Sequence, residues 1–475
     1  MNPIQRFCDL RNRRQFLTHA SMGLGTAALA NAIPALGAAA PHHPPKAKRV
    51  IFLFMAGGPS QLDLFDYKPD LHKQQGKPLP KSVTMGQRVT IMTKGQAQIT
   101  YASPYSFSRH GQSGTYLSEL LPQMSSVIDD ICLIKSTSTN AINHDPAQTH
   151  FCTGSEMAGK ASMGAWLSYG LGSMNRDLPD FVVLQSAFWS APKANVQALY
   201  SRLWGSGYLP SRHQGVAFQS TGDPVLFLSN PPGVDRAARR RSLDLVAALN
   251  RQHQALAGDP EIDTSISQQE MAFRMQMSVP ELMDVSKENK TVVDSYGPDV
   301  HKTGSFARNC LLARRMAERN VRCIQLIHRG WDHHGNLPIN LPAQCRDVDQ
   351  PIAALLRDLK QRGLLDDTLL VFAGEFGRTT YGQAASSPKN FGRDHHPRCF
   401  TTWMAGGGIK GGMSYGETDD FCYNVTEKPV HVRDFHATIL HQLGLEHERL
   451  SFPFQGLDQR LTGVEPARVV REILT

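Results

Sequence analysis

Residues 368–412 read TLLVFAGEFGRTTYGQAASSPKNFGRDHHPRCFTTWMAGGGIKGG. The run Leu369–Ala373 is apolar, short and closed by Gly374, the pattern of a parallel-sheet strand covered on both faces. Open α/β sheets place ligands in the loops that leave such strand ends. Gly374-Glu375-Phe376-Gly377-Arg378 is one such loop. After a polar, glycine-containing connection, Asp394, His395 and His396 lead into a second strand-like run, Cys399–Ala405, and then Gly406-Gly407-Gly408. A carboxylate, an arginine and two histidines at strand ends suit a metal ion or an anionic group. The plainer alternative is an ion pair between Glu375 and Arg378 beside a solvated histidine loop.

Working outward, Ser305–Arg319 has helical spacing, Val321–Ile327 is strand-like, Ala343–Arg362 is helical and Thr368–Ala373 is the next strand. A strand, helix, strand succession of this kind implies parallel neighbours and a right-handed crossover. The loop after Ile327, His328-Arg329-Gly330-Trp331-Asp332-His333-His334-Gly335-Asn336, therefore emerges at the same sheet edge as Glu375 and His395. Near the start, Arg49–Ala56 is a strand that ends in Gly57-Gly58-Pro59-Ser60-Gln61-Leu62-Asp63. Two glycines and a proline allow and then fix a close turn, which makes Ser60, Gln61 and Asp63 pocket candidates; Asp63 as a plain helix cap is the alternative. Ile131–Ile134 is a strand, and Asp145-Pro146 opens a helix beyond it. Asn143 and His144 then sit at a helix N-terminus, where amides and the macrodipole favour an anion. A backbone-bonded capping-loop histidine is the competing reading of His144.

Elsewhere, Thr115–Ile128 carries helical spacing, while Phe181–Gln185 and Val225–Ser229 are short strand candidates. Arg236–Ala257 is an amphipathic helix with a solvated basic start. Gln268–Lys290 is Met-rich, helical and broken at Pro280, and its methionines read as core filler. Val432–Leu443 is a helix. Residues 191–296 read as a helical insertion on one large α/β domain, residues 49–475, with a mostly parallel central sheet sandwiched by helices.

The chain has 475 residues, 41% of them hydrophobic, enough for a large core. No apolar run reaches the roughly 18 to 20 residues of a membrane span. The formal charge of +8 is spread thinly, with no basic stripe interleaved with aromatics, which argues against nucleic-acid binding. At the N-terminus, Asn12-Arg13-Arg14-Gln15-Phe16-Leu17 precedes the weakly apolar Ala20–Ala40, which ends Ala38-Ala39-Ala40 before Pro41. This resembles a twin-arginine export signal. Residues 1–40 are then a removable signal read by the twin-arginine translocation machinery, 41–48 a Pro/His/Lys-rich linker, and the mature chain periplasmic or extracellular with no integral membrane segment. Of eight cysteines, Cys8 lies in the signal. The other seven have no Cys-x-x-Cys spacing, so one disulfide is allowed but no pairing is indicated.

Four loops thus supply His144, Asp332, His333, His334, Glu375, Asp394, His395 and His396. Imidazole and carboxylate together are the ligand set of a divalent ion such as zinc, calcium or manganese, which could polarise an ester or activate water.

GGPSQLDLFDYKP, NHDPAQTHFCTG, GWDHHGN, GEFGRT, GRDHHPRCFTTWMAGGGIKGG and DFHATILHQLGL together resemble the twin-arginine-exported family known as domain of unknown function 1501, within the alkaline phosphatase and sulfatase superfamily. The resemblance implies an alkaline phosphatase/sulfatase-like three-layer sandwich. VFAGEFGR resembles the superfamily's Ser-Asp-His-Gly metal motif, with Glu375 and Phe376 where Asp and His or Asn are usual. Asp332 and His334 resemble the Asp and His ligands of the preceding strand, and His395 the later histidine ligand. The first strand ends in Ala-Gly-Gly-Pro-Ser where the superfamily has a metal-binding aspartate. His144 falls where sulfatases carry the cysteine that becomes formylglycine, and Cys152 is too far along to replace it.

These correspondences imply a metal set of Asp332, His334, Glu375 and His395. They also imply Arg378 holding the anionic group and Ser60, Gln61, Asn143 and His396 as substrate contacts. Without a hydroxyl or aldehyde-hydrate nucleophile, the preferred chemistry is attack by a water activated at the ion, with His144 as base or extra ligand. The expected function is an exported, metal-dependent hydrolase of small-molecule or glycan sulfate or phosphate esters. The alternatives are a non-catalytic protein binding sulfated or phosphorylated glycans and a purely structural envelope protein.

Overall fold

A computed structural model describes residues 41–187, 195–219, 224–225, 228–387 and 390–475. The expected export signal, residues 1–40, lies outside the described residues. The expected linker is docked: the amides of Lys46 and Ala47 donate to the Gln442 carbonyl at 2.9 and 2.8 Å, and that of His42 to Gly444 at 2.8 Å.

The strands that matter here are β1 (Arg49–Ala56), β2 (Ile131–Ser138), β3 (Phe181–Ser186), β4 (Val216–Phe218), β5 (Cys323–Arg329) and β6 (Thr368–Ala373), followed by β7 (Gly377–Ser387), β8 (Asn390–His396), β9 (Phe400–Ala405), β10 (Met413–Tyr415) and β11 (Val430–His431). All except β7 and β8 belong to one nine-stranded sheet in the order β10-β2-β9-β6-β1-β5-β3-β4, with β11 also pairing β2. Only β9 runs against its neighbours, β2 and β6; every other pairing in this sheet is parallel. The C-terminal ends of β1, β2, β5 and β6 and the N-terminal end of β9 therefore share one sheet edge.

Both faces of the sheet are covered, which is why its strands read as unbroken apolar runs rather than alternating ones. From β1, Ile51, Leu53 and Met55 face one core cluster with Leu312 and Met316 of α5 (Phe306–Glu318) and Ile352 and Leu356 of α6 (Leu337–Gln361). Val50, Phe52 and Phe54 face the other, with Phe151 of α1 (His144–Thr153), Trp166 of α2 (Met163–Leu171) and Phe435 and Ile439 of α7 (Val432–Gln442). The result is a three-layer α/β sandwich with a mostly parallel sheet. Within the expected insertion lie the helices Arg236–Ala257 and Pro260–Met283, and the same segment supplies the edge strand β4.

Several local expectations are corrected. Thr115–Ile128 is not a helix: Thr115–Ser118 pairs as a strand with Phe107–His110, and a 3-10 turn follows at Met124–Asp130. Pro122 between them cannot donate to a helical ladder. The polar, glycine-containing connection after Glu375 is the antiparallel ribbon β7/β8. Helix Pro260–Met283 runs through Pro280, which stands so near its end that little of the ladder is lost. Val225–Ser229 falls partly outside the described residues.

His436, fully buried in α7, donates Nε2–H to the Phe151 carbonyl at 2.7 Å, and burial pushes its pKa down to about 4. Because the folded value is depressed, the unfolded chain binds the extra proton, and stability present above pH 6.5 is lost as pH falls towards 4. His436 alone should cost about 2 kcal/mol between pH 6.5 and 5. Urea denaturation at the two pH values checks this, and His436→Gln should flatten the dependence by that amount.

Candidate metal centre

The shared sheet edge gathers four loops into one centre. His144 is the first residue of α1, after β2; Asp332 and His334 lie in the loop after β5; Glu375 follows β6; and His395 is the last residue but one of β8, shortly before β9. The N-terminal loop is drawn in hardest at Gly57, where φ is 121° and a Cβ would stand 2.6 Å from the Asp332 amide nitrogen. Gly392 packs as closely on the other side, for a Cβ there would meet the His334 carbonyl carbon at 1.9 Å.

One ligand atom each from His144, Asp332, His334 and His395 lies within 4.8 Å of the others. Asp332 Oδ1 is the hub, 2.8 Å from His334 Nε2, 3.2 Å from His144 Nε2 and 3.5 Å from His395 Nε2. The Nε2 atoms of His334 and His395 face each other at 3.0 Å.

The far side of each ring fixes the tautomer. His144 Nδ1 meets Glu375 Oε1 at 2.7 Å, His395 Nδ1 meets the Ile142 carbonyl at 2.8 Å, and His334 Nδ1 meets Gln383 Oε1. All three partners are acceptors, so in the neutral ring each Nδ1 carries the proton and each Nε2 presents a lone pair. Three lone pairs and a carboxylate oxygen thus converge with no donor of their own between them. His144 Nε2 is buried without a hydrogen bond of adequate geometry, despite its closeness to Asp332. Such a donor set fits a divalent cation, with the oxygen-held Nδ1 groups orienting the ligands.

The electrostatics agree with a centre built for positive charge. Burial raises the Asp332 pKa, but the Arg378 guanidinium and the three imidazoles outweigh it and hold the carboxyl well below its usual range. Burial lowers His144, yet the neighbouring carboxylates of Asp332 and Glu375 leave its pKa raised. His395 goes the other way, to about 4, through burial and the competing charges of Arg378, His144 and His334. Phe376 closes the site, its ring centroid 4.5 Å from that of His395 and 4.9 Å from that of His144.

Several expected roles are corrected by this geometry. Glu375 is not among the converging ligands. Fully buried beneath the β1 turn, it accepts the Gly57 amide on both oxygens at 3.0 Å and the Gln148 side chain at 3.1 Å, and it orients His144, which stands fourth in the candidate donor cluster. Arg378 is also fully buried. Its guanidinium is turned into the fold and donates to the carbonyls of Gly57, Gly58 and Arg393 and to Asp332 Oδ1.

Gln61 clamps the Arg378 backbone, accepting its amide and donating to its carbonyl, both at 2.8 Å. Ser60 donates to Asp63 at 2.5 Å. His396 turns away and meets the Tyr423 carbonyl at 2.7 Å. Of the expected substrate contacts, Asn143 alone is exposed, as the cap residue of α1. Asp394 accepts from Thr90 and Thr93 at 2.5 and 2.6 Å, and Asp63 pairs with buried Arg393 at 2.8 Å. His333 is buried, and desolvation lowers its pKa to about 3.

Sequence reasoning missed Ile142 and Gln383, the two acceptors behind His395 and His334. A backbone carbonyl leaves no trace in side-chain type, and Gln383 is an ordinary ribbon residue. A cavity of about 510 Å³, lined by Arg88, Asn140, Ile142, Arg398 and Asn424 among others, reaches the centre's border at Ile142.

Arg378→Met should cost about 3–5 kcal/mol, since it leaves Asp332 buried without its cation. Arg398→Met, at an exposed position, should cost less than about 0.5 kcal/mol. Urea denaturation midpoints of the two variants check the contrast.

The family model described as "Protein of unknown function (DUF1501)" matches residues 47–474. No curated protein matches the chain. Among solved structures, the PsFucS1 sulfatase from Pseudoalteromonas sp. aligns at 11% identity and TM-score 0.34, over 95% of this chain and 73% of that one. A mutant TAB5 alkaline phosphatase with bound magnesium aligns at 11% identity and TM-score 0.34, over 85% and 99%. The phosphonate monoester hydrolase SpPMH from Silicibacter pomeroyi aligns at 12% identity and TM-score 0.33, over 90% and 76%. Scores this low leave the fold to rest on the sheet order and the site on its own geometry.

Proposed function

The chain belongs to the DUF1501 family, and we propose that it is an exported, metal-dependent hydrolase of sulfate or phosphate esters. The observation that carries this reading is the convergence of three imidazole lone pairs and Asp332 Oδ1 within 4.8 Å. His144, Asp332, His334 and His395 would hold the ion. A divalent ion supplies Lewis-acid polarisation of an ester oxygen and lowers the pKa of water.

The chain's own residues divide the remaining work. With Nδ1 held by Glu375 and Nε2 facing the centre, His144 acts as a ligand, not as a covalent nucleophile or a base. The attacking group is accordingly water. The anionic part of the ester meets Asn143 at the α1 N-terminus, where unpaired amides favour negative charge. The remainder extends into the cavity beside Ile142, where Arg88 and Arg398 replace Arg378 as the guanidinium groups facing the substrate. The export signal at Arg13 and Arg14 supports delivery through the twin-arginine route.

The test is a panel of aryl phosphate, phosphonate and sulfate esters offered to the metal-replete chain. Turnover of at least one is expected, with His395→Ala lowering kcat/KM by roughly 100-fold or more. Arg398→Ala should raise KM several-fold and leave kcat nearly unchanged, as for a group that binds substrate and transition state alike. Tight anion binding without turnover on the whole panel would instead favour a non-catalytic binder of sulfated or phosphorylated glycans.

A further inference from the structure

The candidate metal centre leaves unused two buried cysteines that lie side by side. Cys399, between β8 and β9, and Cys422, in the turn 419–424, are both fully buried. Cys399 Sγ also lies 3.3 Å from the Cys422 carbonyl oxygen. The turn is held from within: the Asp419 carboxylate accepts the amides of Phe421, Tyr423 and Asn424 at 3.1, 2.8 and 3.1 Å. Cys422 itself has φ 52°, a left-handed conformation that few non-glycine residues adopt. Its Sγ is fixed on the far side by Asp66 Oδ2 at 3.1 Å and Gln61 Nε2 at 3.6 Å.

We propose that Cys399 and Cys422 form a disulfide, closed by thiol–disulfide exchange once the chain is in an oxidising environment, a setting that rests on the export proposed above. The fold supplies what exchange needs, the Cys399 sulfur set 3.3 Å from the Cys422 backbone on elements tied down independently. Cys399 is the attacking thiol. Burial raises its pKa, but Cys422 and the neighbouring His396 outweigh burial and bring it down to about 7, whereas Cys422 is raised.

In the first step the Cys399 thiolate attacks one sulfur of an external disulfide, such as glutathione disulfide, and expels one glutathione thiolate. In the second, Cys422 loses its proton and attacks Cys399 Sγ, and the second glutathione leaves. The protein gives up two electrons and two protons, and the disulfide is reduced to two thiols. Burial raises the pKa of the other thiols, Cys132, Cys152, Cys310, Cys323 and Cys345, and leaves them inert. The bond would staple the 419–424 turn to the segment that carries His395, and through Gln61 to the Arg378 backbone.

Trypsin makes the test direct, because cleavage after Arg398, Lys410 and Arg433 separates residues 399–410 from 411–433, each with one cysteine. The full chain is refolded from urea in a glutathione redox buffer, and a second sample is isolated without reductant from an oxidising compartment. Both are denatured, alkylated and digested. The expected result is one species joining the two peptides, split by dithiothreitol, with an unfolding midpoint that falls on reduction. In Cys422→Ser, the 399–410 peptide should carry the alkyl group. Recovery of both wild-type peptides separately and alkylated in both samples, or of Cys399 joined to a different cysteine, would overturn the proposal.

Discussion

The buried pair of Asp332 and Arg378 is the constraint on which the rest of the site depends. One guanidinium binds the carbonyls at the end of β1, the backbone of β8 and the carboxylate after β5, so three separate chain segments are fixed to one another at a single side chain. A buried carboxylate is costly unless it is paired and fully hydrogen-bonded. Here Arg378 supplies the pairing, Gln197 donates to the outer oxygen at 2.8 Å, and Oδ1 is left facing three imidazoles. The charge that stabilises the loop is the same charge that makes the centre attractive to a cation.

That arrangement explains why Gly57, Gln61 and Glu375 are needed although none of them joins the ligand cluster. Gly57 lets the β1 turn approach Asp332, Gln61 holds Arg378 by its backbone, and Glu375 sets the tautomer of His144. A carboxylate at the end of β6 serves as a support, and a histidine at the start of α1 stands where it could serve as a ligand. The exchange keeps four donors at the centre while leaving no side-chain nucleophile at the helix start, which is the reason the proposed chemistry assigns attack to water.

Much of the fold was legible because burial on both faces forces uniform apolarity. Thr368–Ala373 and Arg236–Ala257 occur with the expected bounds, and the connection from β5 through α6 to β6 places the Asp332 loop and Glu375 at one edge. The reversed direction of β9 was not legible, since an apolar strand has the same composition either way. Thr115–Ile128 misled because leucines spaced for a helix also serve a strand followed by a 3-10 turn. In the site, sequence spacing brought the right loops together but could not say which way side chains face: Glu375 and His144 exchanged roles, and Arg378 points inward. Side-chain direction depends on turns such as Gly57-Gly58, whose geometry follows from what packs against them.

The central claim is that His144, Asp332, His334 and His395 hold a divalent ion while Glu375 only orients His144. Metal content measured by mass spectrometry on the wild type, His395→Ala and Glu375→Gln tests it most directly, because Gln can still accept the His144 Nδ1 proton. The account predicts stoichiometric metal in the wild type, near-complete loss in His395→Ala and retention of most of it in Glu375→Gln. A metal-free wild type, or a Glu375→Gln variant stripped as fully as His395→Ala, would contradict it.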